Sequence, residues 1–181
     1  DLELRYGIDA KNRRVSRTRN GVVTHRWMYG TSGLPVAEVD DLGNILTRYV
    51  YVEKGNVPAY MIRGGKKYKI VSDSRGSVRY VLKAGSGDIV QEMEYDEWGK
   101  VIRDTNIGFQ PFGFAGGIYD ADTELVRFGA RDYDAEIGRW TAKDPIRFDG
   151  GWNLYAYAAL DPVNLVDPSG ENPIDIDLDD I

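Results

Sequence analysis

Cysteine is absent from this 181-residue chain, which excludes a disulfide framework, a zinc-thiolate site and a thiol nucleophile. Histidine is nearly absent as well. His25 stands alone in Thr24-His25-Arg26, a sheet-surface position by its strand-like context, and no serine sits in a nucleophile-elbow motif, so Ser-His-Asp chemistry is not encoded. No run approaches the roughly 18 apolar residues of a membrane-spanning helix, and the opening DLELRYGIDAKNRR has no apolar signal core. Positive charge is in deficit: 23 Lys and Arg against 29 Asp and Glu give a formal net charge of −6, the wrong balance for a dedicated nucleic-acid binder. Gly85-Ser86-Gly87-Asp88 lacks the lysine and following helix of a phosphate loop. No cofactor and no metal site are expected.

Helical periodicity is also scarce before residue 150. What the chain has instead is short runs of β-branched and aromatic residues: Val22-Val23, Ile45 to Val52, Tyr68 to Val71, Val78 to Leu82 and Ile89 to Tyr95. Between them lie Asn20-Gly21, Lys54-Gly55-Asn56, Gly64-Gly65 and Gly85-Ser86-Gly87, residues that take positive φ and close hairpins. The pattern predicts an all-β, antiparallel meander, of a length that one domain core accommodates. A short segment at Leu154 to Ala159, with Asn153 before it, fits a capped helical turn or a strand equally well.

The turns repeat. An aspartate, two residues, a glycine, one residue and a branched aliphatic recur at Asp40 to Ile45, Asp73 to Val78 and Asp96 to Val101, with a weaker copy at Asp9 to Val15 that has Asn12 in the glycine place. The Asp side chain accepts backbone N–H groups across the turn, glycine takes the left-handed position and the aliphatic starts the next strand. Each unit is then a hairpin that needs neighbours to bury its face. Charge is segregated too: residues 1–35 carry seven cations and three acids, and residues 141–181 carry nine acids against Lys143 and Arg147. Either these are two solvated surfaces or the two ends face each other or neighbouring protein.

Three Asp-Pro steps fall close together, at Asp144, Asp161 and Asp167. Proline biases the residue before it toward extended backbone, so each carboxylate is presented from a non-helical position. On their own, such aspartates read as turn formers. The Tyr-Asp turns, clearest at Tyr95-Asp96-Glu97-Trp98-Gly99-Lys100-Val101, followed by RFGARDYDAEIGRWTAKDPI, NLYAY and DPVNLVDPSG, resemble bacterial Rhs/YD-repeat proteins, and the second part resembles their Rhs repeat-associated core. The resemblance covers nearly the whole chain and is most specific from Phe112 to Gly170. It divides the chain into a YD-repeat region (1–104), the core (105–170) and a short acidic tail (171–181).

The resemblance implies a curved sheet belonging to a spiral shell around a carboxy-terminal toxin, with the core closing one end. It also implies an aspartyl autoprotease that cuts its own chain once, just after Asp-Pro-x-Gly-Leu, to free the toxin. The matching catalytic positions are Asp144 and Asp167, with Arg131, Arg139 and Lys143 as supporting cations and Gly170 and Glu171 as the cleavage region. Two carboxylates held together share a proton, activate water and protonate the leaving amide. Glu171 departs from the family's leucine and sets a third carboxylate beside the pair. The alternative is a non-catalytic structural or adhesive module that binds a protein or a glycan, for which Trp27, Trp98, Trp140 and Trp152 are the stacking residues to examine. The implied partners are the rest of the shell and the toxin, with self-association through open sheet edges, and the implied setting is bacterial export within a larger protein. The chain opens on Asp1 in mid-repeat, and 11 residues follow Gly170, too few for a toxin domain; a piece truncated after the core, or a core that has lost its toxin, is expected. Alternation of Ile174, Ile176 and Leu178 with Asp175, Asp177 and Asp179 predicts a strand there rather than a calcium loop.

Overall fold

A computed structural model describes residues 2–52, 55–172 and 174–175. Ten strands run as a meander: β1 (Leu4–Ile8), β2 (Arg14–Arg19), β3 (Val22–Tyr29), β4 (Pro35–Val39), β5 (Ile45–Val50), β6 (Tyr60–Arg63), β7 (Lys66–Ser72), β8 (Val78–Lys83), β9 (Ile89–Tyr95) and β10 (Val101–Asp104). Each pairs antiparallel with the next in a single open sheet. The all-β antiparallel expectation holds.

The repeats behave as their chemistry requires. Oδ1 of Asp9, Asp40, Asp73 and Asp96 each accepts the backbone N–H groups of the residues two and four further on, at 2.8–3.1 Å. The glycine position is left-handed in every copy, with φ of 85° at Gly43, 87° at Gly76 and 89° at Gly99, and Asn12 fills it at 57°. Register shifts interrupt seven of the nine strand pairings in this sheet. Bulges of this kind add local twist, so the meander bends.

The chain then folds against one face of that sheet. Strands β11 (Ile118–Asp120), β12 (Leu125–Phe128), β13 (Arg131–Asp134) and β14 (Arg139–Trp140) form a second antiparallel sheet. Short 3-10 turns at Phe114–Gly116, Arg147–Gly150 and Ala158–Leu160 are the helical elements among the described residues. The segment after Asn153 is therefore a bridge from Ala156 to Arg139 followed by a 3-10 turn, because Asn153 Oδ1 accepts the Tyr155 N–H and starts a turn instead of a capped helix. A pair of two-residue strands, β15 (Leu165–Val166) and β16 (Ile174–Asp175), ends the described chain. Tail residues 176–181 and Lys54 of one predicted turn lie outside the described residues.

One hydrophobic core joins both sheets. Tyr49 meets Phe112 edge-on at 4.9 Å and Tyr68 meets Phe109 at 5.1 Å, while Phe128, Tyr133, Trp140 and Tyr157 pack on one another with centroids 4.2–6.4 Å apart. Trp27 and Trp140 are buried in packing, which removes them as stacking platforms, and Trp152 is 93% exposed.

Candidate functional site

Two loops and one strand converge beside this aromatic cluster. Asp144 follows β14, and its Oδ1 accepts the Ile146 N–H at 3.0 Å, so the Asp-Pro step is a turn as its residue types demand. Asp167 follows β15, and its Oδ1 accepts Ser169 Oγ at 2.9 Å, Glu171 N–H at 3.1 Å and Asn172 N–H at 3.2 Å. In each aspartate the second oxygen is left for something else. Both Oδ2 atoms face Arg131 Nη2, at 2.8 Å from Asp144 and 3.5 Å from Asp167. Asp161, the third Asp-Pro aspartate, only folds its own turn, accepting from Asn164.

Arg131 is the hub. It rises from the start of β13, 3% exposed, with its guanidinium 4.3 Å over the Trp140 ring. Its Nε donates to the Gly170 carbonyl at 2.6 Å and its Nη1 to the Leu154 carbonyl at 3.2 Å. Burial pushes its pKa down from the ordinary arginine range, and the negative charges of Asp144, Asp167 and Glu171 push back. A guanidinium stays protonated in either case. A cation, rather than a direct carboxyl–carboxylate hydrogen bond, thus spans the two aspartates.

Backbone fit holds the chain at this point. Gly170 is left-handed (φ 69°), and a side chain on it would strike the Phe128 carbonyl. The Ala130 N–H donates to the Ser169 carbonyl at 2.9 Å. Segment 168–171 is laid across the β12–β13 turn and fixed there. Gly150 closes the other side: a Cβ on it would sit 2.7 Å from Asp144 Oδ2 and 3.2 Å from the Glu171 carbonyl oxygen. The Asp144 carboxylate and the Glu171 carbonyl therefore border the same small space, while the Asn172 N–H points to Asp167. The peptide bond between residues 171 and 172 runs from one aspartate to the other.

Of the sequence-selected residues, Asp144, Asp167, Arg131, Gly170 and Glu171 come together. Arg139, on the solvent side of β14, and Lys143, in the loop after it, are exposed, and neither pairs with Asp144 or Asp167 among the described residues. Sequence reasoning missed Gly150 and the Leu154 carbonyl. It also missed a second charged cluster: Asp120 takes a two-point contact from Arg17 (2.7 and 3.0 Å) and the Tyr6 hydroxyl (2.8 Å), and Asp132 pairs with Arg14 (2.8 Å) and Arg127 (3.1 Å). Among the described residues, the basic amino-terminal end forms ion pairs with acids of β11 and β13. Tyr119-Asp120 and Tyr133-Asp134 are further Tyr-Asp turns, and that dipeptide was the available signal.

Comparison with known proteins agrees with this architecture. The Teneurin YD-shell family matches residues 1–173. Teneurin-3 of Danio rerio is 29% identical over 190 residues, covering 97% of this chain and 7% of its own. The tRNA3(Ser)-specific nuclease WapA of Bacillus spizizenii is 31% identical over 172 residues, 91% of this chain and 7% of its own. YlbH of Escherichia coli K12 is 41% identical over 99 residues, 54% of this chain and 42% of its own. Among solved structures, TcdB2-TccC3-TEV superposes with a TM-score of 0.69 at 20% identity, over 94% of this chain and 9% of that one. The chain spans only about 7% of the length of Teneurin-3 and WapA.

Proposed function

Since the chain belongs to the Teneurin YD-shell family, we propose that it is the closing segment of a β-shell in a longer, exported toxin-delivery protein, and that Asp144 and Asp167 hydrolyse the chain between Glu171 and Asn172. In this reading residues 1–104 supply shell wall, residues 105–170 the core that closes it, and the polypeptide beyond residue 171 the released part. No helix among the described residues is long and apolar enough to cross a membrane.

The observation that carries the proposal is the placement of the 171–172 peptide bond. Its N–H lies 3.2 Å from Asp167 Oδ1, and its carbonyl oxygen borders the space that Gly150 leaves open beside Asp144 Oδ2. A water entering that space is deprotonated by one carboxylate as it attacks the Glu171 carbonyl carbon. The other aspartate takes up a proton from solvent for the step and delivers it to the Asn172 nitrogen as the C–N bond breaks. The products are a carboxylate at Glu171 and an amine at Asn172. Arg131, in contact with both aspartates and with the Gly170 carbonyl, holds the pair and the chain just before the scissile bond in position.

A second reading has its own support. Asp167 bonds the N–H groups of Glu171 and Asn172 much as Asp40 bonds its own turn, so the cluster also works as a purely structural anchor for a non-catalytic module. Phe148 and Trp152, exposed and tilted at 48° with ring centroids 6.1 Å apart, would be its adhesive surface. Fusing a reporter domain after residue 181 separates the two. Hydrolysis predicts a fragment whose intact mass ends at Glu171, lost in Asp144→Asn and in Asp167→Asn. A fusion that stays whole, or a cut that both variants leave unchanged, gives the structural reading.

A further inference from the structure

Position 171 faces a cavity of about 490 Å³ between the β3–β4 turn, the Asp9 turn and the β12–β13 turn. Four charged side chains line it: Lys11, Arg13, Arg127 and Glu171. Two of the cations are already committed, Arg13 to Asp9 at 2.6 Å and Arg127 to Asp132 at 3.1 Å. Lys11 has no salt-bridge partner among the described residues. The wall therefore carries one uncompensated positive charge besides two paired ones, and Glu171 is the acid among its lining residues.

The backbone leaves residue 171 little choice of direction. Arg131 Nε holds the Gly170 carbonyl at 2.6 Å, Asp167 Oδ1 holds the Glu171 N–H at 3.1 Å, and Gly150 confines the Glu171 carbonyl from the other side. With both flanking amide groups fixed, Glu171 lines the cavity and stays half-buried. Apolar wall is present too, in Tyr29, Leu34 and Phe128, so a long side chain lays its methylenes on carbon and its charged end among cations.

We propose that this cavity is a subsite for an acidic side chain at position 171, with Lys11 as its charge-selecting residue, so that the site cuts after glutamate or aspartate in preference to an apolar residue. This rests on the hydrolytic reading above and deepens it. Glu171 is then the cognate residue of this chain, and its carboxylate is neutralised by the cavity cations instead of repelling the aspartate pair.

Two measurements separate the subsite from the chemistry. In the reporter fusion, Glu171→Gln and Lys11→Glu are each expected to slow the appearance of the cut product by about tenfold, and Glu171→Lys combined with Lys11→Glu to restore much of the rate. In the fusion made uncuttable by Asp144→Asn, thermal unfolding is read for the same changes. Lys11→Glu is expected to lower Tm by about 2–4 °C when residue 171 is Glu and by much less when it is Gln. Coupling in the melts supports the subsite even if no fusion is ever cut, an outcome that removes the hydrolytic reading alone. Melts in which the two positions are additive overturn the subsite whatever the cleavage. So does a Glu171→Leu fusion that cuts as fast as the parent.

Discussion

At the scale of single residues, the economy of the site lies in how each aspartate divides its two oxygens. One oxygen closes a turn with backbone N–H groups and the other meets Arg131. The turn-forming and the proposed chemical roles are therefore compatible in one side chain, which is why residue type and neighbouring proline alone could not distinguish them. Gly150 isolates the proposed chemical role. Its φ is outside the left-handed region, so alanine is conformationally acceptable there, yet the added methyl lies 2.7 Å from Asp144 Oδ2. Gly150→Ala is expected to leave Tm within a few degrees of the parent while cutting the yield of the Glu171-terminated fragment by about tenfold or more. Fragment yield and a melt on the same sample check it.

At the scale of elements, the Asp-turn hairpin is legible because all of its interactions are local. An aspartate, a residue able to take positive φ and an aliphatic strand start are enough, and Asn12 shows that the φ requirement tolerates asparagine. What each turn docks against is not local. Gly43 and Gly99 have nearly the same φ, 85° and 89°, but a Cβ on Gly43 meets open space whereas one on Gly99 drives into the Phe114 ring. Gly43→Ala should cost about 1–2 kcal/mol, the conformational penalty alone. Gly99→Ala should cost about 1–3 kcal/mol more, because the core ring must shift. Urea unfolding of the two variants measures the difference, and equal losses would mean that the Asp96 turn is not packed on the core.

At the scale of the whole molecule, the amino-terminal strands are tied to the second sheet by charge. Arg17 reaches Asp120 across 103 residues of sequence, a separation that no repeat or periodicity encodes. The same holds for Arg131, whose contacts with Asp144, Leu154 and Gly170 come from three separate segments. Fold class and the pair of Asp-Pro carboxylates were readable from local pattern and family resemblance; the cation joining them was named, but its central place was not. Burial tends to raise the pKa of Asp120, yet hydrogen bonds from Arg17, Tyr6 and the Asp122 N–H outweigh it and hold the carboxyl below its ordinary 3.8. A depressed carboxyl stabilises the fold above its unfolded pKa, and that contribution is lost as pH falls through the folded value. Asp120→Asn, which removes one of the two carboxylates that Arg17 faces and leaves Asp122 as the other, should cost about 1.5–3 kcal/mol at pH 7. The gap between variant and parent should narrow below about pH 4. Unfolding curves at pH 7 and pH 3 give the test.

The order of the strands also sets a clock. Through β10 every strand pairs with its predecessor, so the wall can be laid down hairpin by hairpin while the chain is still being synthesised. Its apolar face, with Tyr49, Met61, Tyr68 and Ile70, stays uncovered until residues 109–157 arrive to pack on it. Asp167 comes later still. The cluster around Arg131 thus becomes possible only after these ten strands have been made, and whatever it does to the chain is done to a sheet that is already built.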